Sequence, residues 1–323
     1  MANQLSSMKC GPILLLIAFA YCADAVSGAE PHDGLYRENL TYQGSITGDE
    51  ITYTLYLPPE YTKEKRPYPI VFFLHGAGGG NASAEVLRSY EAARKSGHIG
   101  DCIIVFPEKF GGTVWRDGAR DKMPETNVLK ELLPFLEDKY SISKDRRHRT
   151  VMGFSMGAAG AIFWGAKYSD LFSVVVALDS GGGTSIDDAD ARNFVPHYAE
   201  KQDALRQGAL RIRIVQAALN TRSFRASLDE MKIPYEYAQL SKNIDDYQKG
   251  SYCRNRRDPT RKMLHNPACL TEGAWGRKTW AFIGKNMGKG AKPQRQSSPT
   301  TDCFEENEAL PGDDGANRTA CDS

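Results

Sequence analysis

The stretch TVMGFSMGAAGA occupies residues 150–161. It begins as a short β-rich run and continues as a run of small residues, with G-x-S-x-G at the junction. A sharp strand-to-helix turn strains the backbone; glycines at Gly153 and Gly157 relieve that strain, and the turn lifts the hydroxyl of Ser155 above the sheet. The N-terminus of the following helix favours negative charge that develops beside the serine. The stretch therefore predicts a reactive Ser155 at the edge of an α/β sheet.

The chain around this stretch alternates β-rich runs with amphipathic runs, as in a mostly parallel sheet covered by helices. Three near-continuous apolar runs read as strands buried on both faces, namely Ile70–Leu74, Cys102–Phe106 and Ser173–Leu178. The other predicted strands are Leu40–Gly44, Ile51–Leu57, Thr150–Gly153, Leu210–Val215 and Tyr235–Leu240, and the predicted helices are Glu125–Tyr140, Met156–Tyr168 and Phe224–Met231. We expect one α/β domain over residues 35–284, with helices on both faces of the sheet.

The two ends of the chain differ from this domain in composition. Lys9, the apolar run Pro12–Ala20 and the triplet Ala23-Asp24-Ala25 have the order of a secretory signal peptide, so we expect residues 1–25 to be removed on export. Residues 285–323 are polar, and Asp302–Ser323 carries seven acidic residues and one arginine. Such a segment cannot build a core, and we predict a disordered tail there.

The overall composition excludes several classes of protein. The 323 residues are 41% hydrophobic and include 41 Lys and Arg against 40 Asp and Glu. This balance argues against a disordered, collagenous or nucleic-acid-coating chain. The only long apolar run, at the N-terminus, is too short to span a bilayer. We expect an extracellular protein with no nucleic-acid partner and no membrane span.

The seven cysteines agree with export. Cys102 lies in an apolar run and is expected to be a buried thiol. The pairs expected to form in an oxidising compartment are Cys253 with Cys269 and Cys303 with Cys321. Glycosylation sequons begin at Asn39, Asn81 and Asn317. The sequence contains no C-x-x-C, and we expect no metal and no organic cofactor.

A glycine-rich segment, His75–Gly80, directly follows the predicted strand Ile70–Leu74. Such a loop can turn backbone N–H groups toward a tetrahedral oxyanion, together with the N–H of Met156, the residue after the serine. A phosphate-binding loop is the alternative, but the sequence has neither G-K-[ST] nor the G-x-G-x-x-G register with a downstream acid. The pattern favours an oxyanion hole.

Four segments in this order resemble the secreted esterase family of the α/β-hydrolase fold: LPPEY at 57–61, His75-Gly76 with its glycines, ELLPF at 131–135 and GFSMG at 153–157. That family includes feruloyl esterases, formylglutathione hydrolases and mycolyltransferases. The resemblance extends over about Tyr36–Lys285. It implies Ser155 as the nucleophile and the N–H groups of Ala77 and Met156 as the oxyanion hole.

The general base must be a histidine downstream of the serine, because the fold orders its three groups as serine, acid and histidine. Only His197 and His265 follow Ser155. His265-Asn266 resembles the segment that carries the base in the family, and Trp280–Ile283 resembles its closing helix. We therefore predict His265 as the base and His197 as a surface residue; a histidine in a variable, disulfide-closed loop is the alternative for His265.

The acid is where the sequence departs from the family pattern. The resemblance implies an aspartate in the loop after Arg211–Val215, but that loop ends at Asn220, which carries no charge. Asp179, at the carboxyl end of the run Ser173–Leu178, is the best substitute, because functional groups in open α/β sheets gather at that edge. A turn residue is the other interpretation of Asp179. Asp245 and Asp246 are weaker candidates for the acid.

Two further groups of residues remain open at this stage. The basic residues between Cys253 and Cys269, which are Arg254, Arg256, Arg257, Arg261 and Lys262, either attract an anionic substrate or form a solvated loop. Trp115 and Arg116 either line an acyl pocket or pack beneath the preceding loop.

The expected function is a serine esterase acting on small-molecule or glycan-linked esters, with feruloyl-type esters implied by the resemblance. The alternatives are an acyltransferase and a catalytically impaired homologue that binds ligands outside the cell.

Overall fold

A computed structural model describes residues 32–59, 61–62, 67–79, 82–180 and 194–288. The predicted signal peptide, most of the predicted tail, the Cys303–Cys321 pair and the sequons at Asn81 and Asn317 lie outside these residues. They stay predictions.

An eight-stranded sheet forms the centre of the described part of the chain. Its strands are β1 (Leu35–Gln43), β2 (Glu50–Leu57), β3 (Ile70–Leu74), β4 (Ile103–Pro107), β5 (Arg149–Phe154), β6 (Val174–Leu178), β7 (Arg211–Gln216) and β8 (Glu236–Gln239). They lie in the order β1-β2-β4-β3-β5-β6-β7-β8. The first two strands are antiparallel to their neighbours, whereas β3 to β8 are all parallel. The predicted mostly parallel sheet is confirmed.

Helices cover both faces of this sheet. They are α1 (Ser83–Lys95), α2 (Leu133–Lys139), α3 (Met156–Lys167), α4 (Val195–Glu200), α5 (Gln202–Arg206), α6 (Arg222–Glu230), α7 (Pro267–Thr271) and α8 (Gly273–Asn286). A π-helical segment, Thr126–Leu132, runs directly into α2, so the predicted helix Glu125–Tyr140 is observed as two joined pieces. No helix in the described ranges is long and apolar enough to cross a bilayer.

Side chains alternate between two cores, as the two-residue period of a strand requires. On β3, Phe72 packs into the core that contains α3, whereas Val71 and Phe73 pack into the core that contains α1 and α8. The same alternation places Val175 in the first core and Val176 in the second. All five of these side chains are at most 3% exposed. This burial on both faces explains why the central strands read as continuous apolar runs.

The register of the parallel strands brings their carboxyl ends to one edge. Leu74 pairs with Gly153, Phe154 pairs with Leu178, and Leu178 pairs with Val215. The loops after β3, β5, β6 and β7 therefore leave the sheet side by side. In open α/β sheets this carboxyl edge is where ligand sites form.

The structure differs from the sequence-based prediction at the first strand and the first helix. The first strand begins at Leu35 rather than Leu40. An irregularity in its pairing with β2, between Arg37 and Leu40, divides the strand into two parts. Asn39 lies at this irregularity with φ of 54°, a left-handed conformation that asparagine tolerates better than most residues. Helix α1, Ser83–Lys95, was not among the predicted helices.

The cysteines of the described part follow the prediction. Cys253 and Cys269 form a disulfide. Cys102 precedes β4, is buried, and donates from its thiol to the carbonyl of Gly100 at 3.4 Å.

Candidate active site

Ser155 lies between β5 and α3 in a strained backbone conformation, with φ of 55° and ψ of −117°. Non-glycine residues in such sparsely populated regions persist only where surrounding packing imposes them. A Cβ atom added to Gly153 would lie 2.1 Å from the carbonyl oxygen of Gly157, and one added to Gly157 would lie 2.0 Å from that of Leu74. Both glycines of G-x-S-x-G are therefore required by close backbone packing at the turn.

Three of the predicted residues meet in one chain of hydrogen bonds. Nε2 of His265 is 3.0 Å from Oγ of Ser155, and Nδ1 of the same ring is 2.6 Å from Oδ2 of Asp179. A carboxylate only accepts hydrogen bonds, so Nδ1 carries the ring proton and Nε2 is left to accept the proton of the serine hydroxyl. This is the geometry that general-base activation of a serine requires.

Asp179 directly follows β6, and its side chain is fully buried. Besides His265, its carboxylate accepts the backbone N–H groups of Ala217, Ala218 and Leu219 at 2.8–3.1 Å. Burial by itself raises the pKa of Asp179, but the hydrogen bonds from His265 and from the three N–H groups hold that pKa below its ordinary value. The group is therefore charged and fixed in place opposite the imidazole.

The loop after β7 supplies backbone donors instead of an acid. Asn220 is exposed, and its Oδ1 accepts the N–H of Arg222 at 2.8 Å, so it acts in the turn that opens α6. Asp245 is 84% exposed and lies 3.9 Å from Arg254. Asp246 accepts hydrogen bonds from Ser241 and Asn243. None of these three side chains contacts His265 among the hydrogen bonds of the described residues.

His197 lies on α4, away from the serine. Its ring packs edge-on against Phe163 and lies 3.7 Å from Glu200 on the same helix. Partial burial lowers the pKa of His197, although Glu200 acts in the opposite direction. The prediction that His197 has no part in the site agrees with this position.

A disulfide-closed loop carries His265 to the edge of the sheet. Cys253 and Cys269 join the ends of this loop, and Asn266 caps α7 by accepting the N–H of Ala268 at 2.9 Å. The ring of His265 also packs against Phe154 with 4.6 Å between ring centroids. The cap, the ring contact and the disulfide together hold the side chain of His265 in position, although it is 38% exposed.

The glycine-rich loop after β3 lies directly beside the nucleophile. A Cβ atom added to Gly76 would be 3.4 Å from the Cβ of Ser155. Ala77 lines two cavities together with Ser155. Met156 is the first residue of α3, so its N–H has no acceptor within the helix. The backbone N–H groups of Ala77 and Met156 are thus placed next to Ser155, as the oxyanion-hole prediction requires.

Trp115 supports this loop from below and does not line a pocket. Its side chain is fully buried, and its indole N–H donates to the carbonyl of His75 at 3.1 Å. Its own carbonyl accepts the indole N–H of Trp164 at 2.8 Å. A Cβ atom added to Gly160 on α3 would lie 2.6 Å from the Cβ of Trp115, so this glycine makes room for the indole. Of the two sequence-based alternatives for Trp115, packing is correct.

Two cavities meet at Ser155. The larger one, of about 880 Å³, contains His265 and the basic part of the disulfide-closed loop. The smaller cavity, of about 280 Å³, is mostly apolar. Its apolar lining residues include Val114, Met156, Phe163, Phe194 and Leu219, and Arg116 also lines it. The guanidinium of Arg116 lies over the ring of Phe163, 4.0 Å from its centroid.

Sequence reasoning missed the walls of the smaller cavity and the donors to Asp179. Val114, Phe163 and Phe194 come from three separate segments that only the fold brings together. The donors to Asp179 are backbone N–H groups, which no pattern of side chains in the sequence predicts. Of the residues of this wall, only Arg116 was a candidate pocket residue in the sequence analysis.

A parallel sheet covered on both faces, a serine at a strained strand-to-helix turn, and a carboxylate and a histidine from later loops define an α/β-hydrolase. The Esterase family model, described as "Putative esterase", matches residues 44–222. This range is more than half of the chain, and the chain belongs to this family. The matched range includes Ser155 and Asp179 and ends before His265.

Among curated proteins, two esterases of Mycobacterium tuberculosis are 27% identical to this chain over 172 residues. The alignment covers 51% of this chain and 36% of each relative. The chain thus spans about a third of the length of the curated relatives that it matches.

Solved structures of esterases and serine hydrolases share the fold. A ferulic acid esterase of the anaerobic fungus Anaeromyces mucronatus, solved in complex with ferulic acid, superposes with a TM-score of 0.57 at 21% identity, covering 82% of this chain and 94% of the other. A fluorophosphonate-binding serine hydrolase of Staphylococcus aureus, with substrate bound, superposes with a TM-score of 0.52 at 16% identity, covering 64% and 90%. At these identities the likeness establishes the fold.

Proposed function

We propose that this esterase-family protein is a serine carboxylic ester hydrolase that works through an acyl-enzyme. The observation that carries this proposal is the continuous chain of hydrogen bonds from Ser155 through His265 to the buried Asp179. A serine hydroxyl is a weak nucleophile at neutral pH and needs a base that is itself oriented by a third group. The described geometry supplies both groups.

The reaction follows from the positions of these atoms. Oγ of Ser155 attacks the ester carbonyl carbon while Nε2 of His265 takes the hydroxyl proton. The carbonyl oxygen becomes an oxyanion that accepts hydrogen bonds from the N–H groups of Ala77 and Met156. The ester C–O bond then breaks, and the imidazolium returns its proton to the departing alcohol. Water repeats the sequence on the acyl-enzyme and releases the carboxylic acid and free Ser155. Asp179 stabilises the imidazolium in both halves.

The smaller cavity indicates an aromatic acyl group. Its volume of about 280 Å³ and its walls of Phe163, Phe194 and Leu219 fit a planar apolar ring better than a long flexible chain. Among the described lining residues, Arg116 is the only charged one, and it can face a polar substituent of such a ring. The Anaeromyces mucronatus structure in complex with ferulic acid supports the same class for this fold. We propose feruloyl-type esters as substrates.

Two other functions remain as alternatives to hydrolysis. An acyltransferase would use the same acyl-enzyme and pass the acyl group to an alcohol instead of water. A catalytically impaired binding protein is favoured by Asn220 at the position where the family resemblance implies an acid. The buried carboxylate of Asp179 beside His265 argues against impairment. Product analysis with and without added alcohols distinguishes the acyltransferase from the hydrolase.

Labelling with a fluorophosphonate tests the proposal most directly, because the probe reacts only with an activated serine. We expect one equivalent of label on Ser155 and no label on Ser155→Ala. The exposed Ser96, whose hydroxyl donates to the carbonyl of Ala92, provides a matched control, so Ser96→Ala should label fully. A correctly folded wild-type protein that takes no label would disprove an activated Ser155 and would favour the binding protein.

We also propose that the protein is exported and works outside the cell. The Cys253–Cys269 disulfide supports an oxidising compartment. N-terminal sequencing of protein recovered from the culture medium tests this; we expect the chain to begin at Val26, after the predicted cleavage site. Recovery of the full-length chain from inside the cell alone would contradict export.

A further inference from the structure

The larger cavity beside Ser155 is lined by three arginines, Arg254, Arg256 and Arg257. We infer that this cavity selects esters whose alcohol half carries an oxyanion, either a carboxylate or a phosphate. The inference rests on the proposed function, because it assigns the alcohol half of the ester to a particular side of Ser155.

The position of His265 identifies the side on which the alcohol leaves. His265 lines the larger cavity and is not among the residues of the smaller one. Since this imidazole must return a proton to the leaving oxygen, the alcohol half departs into the cavity that contains it. The acyl half then occupies the smaller, apolar cavity. Ala77 lines both cavities, as an oxyanion donor at the boundary should.

The charges at the larger cavity are strongly unbalanced. Against the three arginines, Glu85 is the only carboxylate among its described lining residues. Glu85 itself lies 4.0 Å from Arg88, one turn further along α1. The cavity therefore has a net positive charge whichever way Glu85 points. A concave basic surface of this kind concentrates anions.

Two of the three arginines are available to a ligand. Arg254 is held by the loop itself, because its guanidinium donates to the carbonyls of Tyr247 at 2.7 Å and Pro259 at 3.0 Å. Arg256 and Arg257 are exposed, and among the described residues neither has a carboxylate within 4.0 Å. A guanidinium presents paired N–H groups that match a carboxylate or phosphate in a bidentate arrangement.

Tyr252 provides an aromatic wall behind one of these groups. The guanidinium of Arg256 lies over its ring, 5.3 Å from the centroid, and that of Arg88 lies 5.7 Å from the same centroid. Stacking against an aromatic face limits the positions that an arginine samples while leaving its N–H edge free to donate. The wall therefore reduces the ordering needed when an anion binds.

The loop that carries the arginines is also fixed relative to the catalytic base. Cys253 and Cys269 close it covalently, the N–H of Met263 donates to the carbonyl of Cys253 at 2.7 Å, and the N–H of Asn255 donates to the carbonyl of Arg261 at 2.9 Å. His265 lies within the same closed loop. An anion bound by the arginines is thus placed at a defined distance from the imidazole that protonates the leaving oxygen.

Three acetate esters of similar phenols test the inference. One carries a carboxylate at the meta position (acetylated 3-hydroxybenzoate), one a phosphate (3-acetoxyphenyl phosphate) and one a neutral carboxamide (acetylated 3-hydroxybenzamide). The meta position keeps the leaving phenols comparable in acidity. We expect kcat/KM for at least one anionic ester to exceed that for the neutral ester by about tenfold or more, as charge-assisted hydrogen bonds typically provide. The better of the two anions identifies the group.

The arginine variants assign that preference to the cavity. In the double variant Arg256→Gln/Arg257→Gln, the ratio of kcat/KM for the preferred anionic ester to kcat/KM for the neutral ester should fall to nearly one. Arg261→Gln removes the same charge from the same loop, but Arg261 does not line the cavity, so this control should keep most of the preference. Raising the salt concentration should reduce the preference of the wild-type protein.

The outcomes separate this inference from the proposed function. If the neutral ester is hydrolysed through Ser155 but no anionic ester is preferred, the inference is wrong and the esterase stands. If the double variant keeps the preference, the arginines are not its source and the inference is wrong again. If no ester is hydrolysed, binding still tests the inference: the Ser155→Ala protein is titrated with 3-hydroxybenzoate, 3-hydroxyphenyl phosphate and 3-hydroxybenzamide. Binding of an anion that is lost when Arg256→Gln/Arg257→Gln is added supports the inference. Equal binding of all three compounds overturns it.

Discussion

Oδ2 of Asp179 and Nδ1 of His265 lie 2.6 Å apart although 86 positions separate the two residues in the chain. Asp179 follows β6, as the sequence analysis expected, whereas the family resemblance implies an acid in the loop after β7, where this sequence has Asn220. That loop is still part of the arrangement, because its backbone N–H groups at Ala217, Ala218 and Leu219 bind the same carboxylate. The carboxylate therefore comes from the end of β6, and the backbone groups that bind it come from the loop after the neighbouring strand β7.

Exchanging the two candidate acid positions tests this arrangement. Asp179→Asn should lower kcat for p-nitrophenyl acetate by about three to four orders of magnitude, because an uncharged amide cannot stabilise imidazolium, as in the serine proteases. Asn220→Asp should change kcat less than about twofold, since Asn220 points to solvent in the turn before α6. A strong gain in Asn220→Asp, with no loss in Asp179→Asn, would instead place the acid after β7.

Acid sensitivity should depend on the same carboxylate. The pKa of Asp179 is lowered in the folded protein relative to its ordinary value of 3.8. A lowered carboxyl pKa contributes stability that is complete above pH values of about 4 to 5 and is lost as the pH falls through the folded-state value. In urea unfolding at a series of pH values, Asp179→Asn should therefore lose less stability between about pH 5 and pH 2 than the wild type.

A matched surface variant controls for general charge effects in that experiment. Asp245 is 84% exposed and lies on a loop at the same end of the molecule, so Asp245→Asn should follow the wild-type pH dependence. Identical curves for all three proteins would show that the hydrogen bonds of Asp179 contribute no net stabilisation.

Support of the glycine-rich loop by Trp115 predicts a catalytic effect from a residue that touches no substrate. Trp115→Phe keeps an aromatic ring but leaves the buried carbonyl of His75 without its donor, a loss of about 1–3 kcal/mol. We expect kcat to fall about tenfold or more because the oxyanion donors shift, while KM changes little.

The control for Trp115 lies on the other face of the sheet. Trp280 is fully buried and also donates its indole N–H to one partner, the partly buried Ser89, at 2.9 Å. Trp280→Phe should lower stability in urea by a similar amount and leave kcat nearly unchanged. Equal losses of kcat in both variants would indicate that Trp115 acts only through global stability.

Removing the disulfide should separate the base from the nucleophile. The bond between Cys253 and Cys269 closes a loop with a sequence separation of 16, for which chain entropy gives about 3 kcal/mol of stabilisation. The double variant Cys253→Ser/Cys269→Ser should therefore unfold at lower urea concentration and lose most of its fluorophosphonate labelling, because His265 is no longer held beside Ser155. Dithiothreitol should reproduce the effect in the wild type, and Cys102→Ala should not. Full labelling of a reduced protein would show that the cap at Asn266 holds the base by itself.

The sheet and the strand-to-helix turn at Ser155 were predictable because they depend on local patterns, whereas His265 was singled out by its place after Ser155 and by the family resemblance. Central strands such as β3 and β6 are buried on both faces, so their apolar runs are unmistakable, and G-x-S-x-G needs its glycines for backbone packing. The helix α1 was missed because polar side chains such as Ser83 and Glu91 lie among its buried residues and its N-terminus has no side-chain cap. Local pattern therefore determined most of the architecture.

Features that depend on distant contacts could not be predicted in the same way. The choice between Asp179 and other acids required the three-dimensional position of His265, which a loop far along the chain supplies. The role of Trp115 depends on a carbonyl that only the fold brings beneath it. The arginines between Cys253 and His265 were visible as charge, but their placement in the larger cavity followed only from the path of the loop.

The closed loop between Cys253 and Cys269 separates the residues of the proposed chemistry into two groups. The nucleophile and the acid belong to the sheet, whereas the loop holds the base together with the residues that face the departing alcohol. On the specificity proposed for Arg256 and Arg257, substitutions at these exposed positions would alter which alcohol is released without altering how Ser155 is activated. On this proposal, changes confined to the disulfide-closed loop would alter the range of alcohols that leave, while the sheet with Ser155 and Asp179 stays the same.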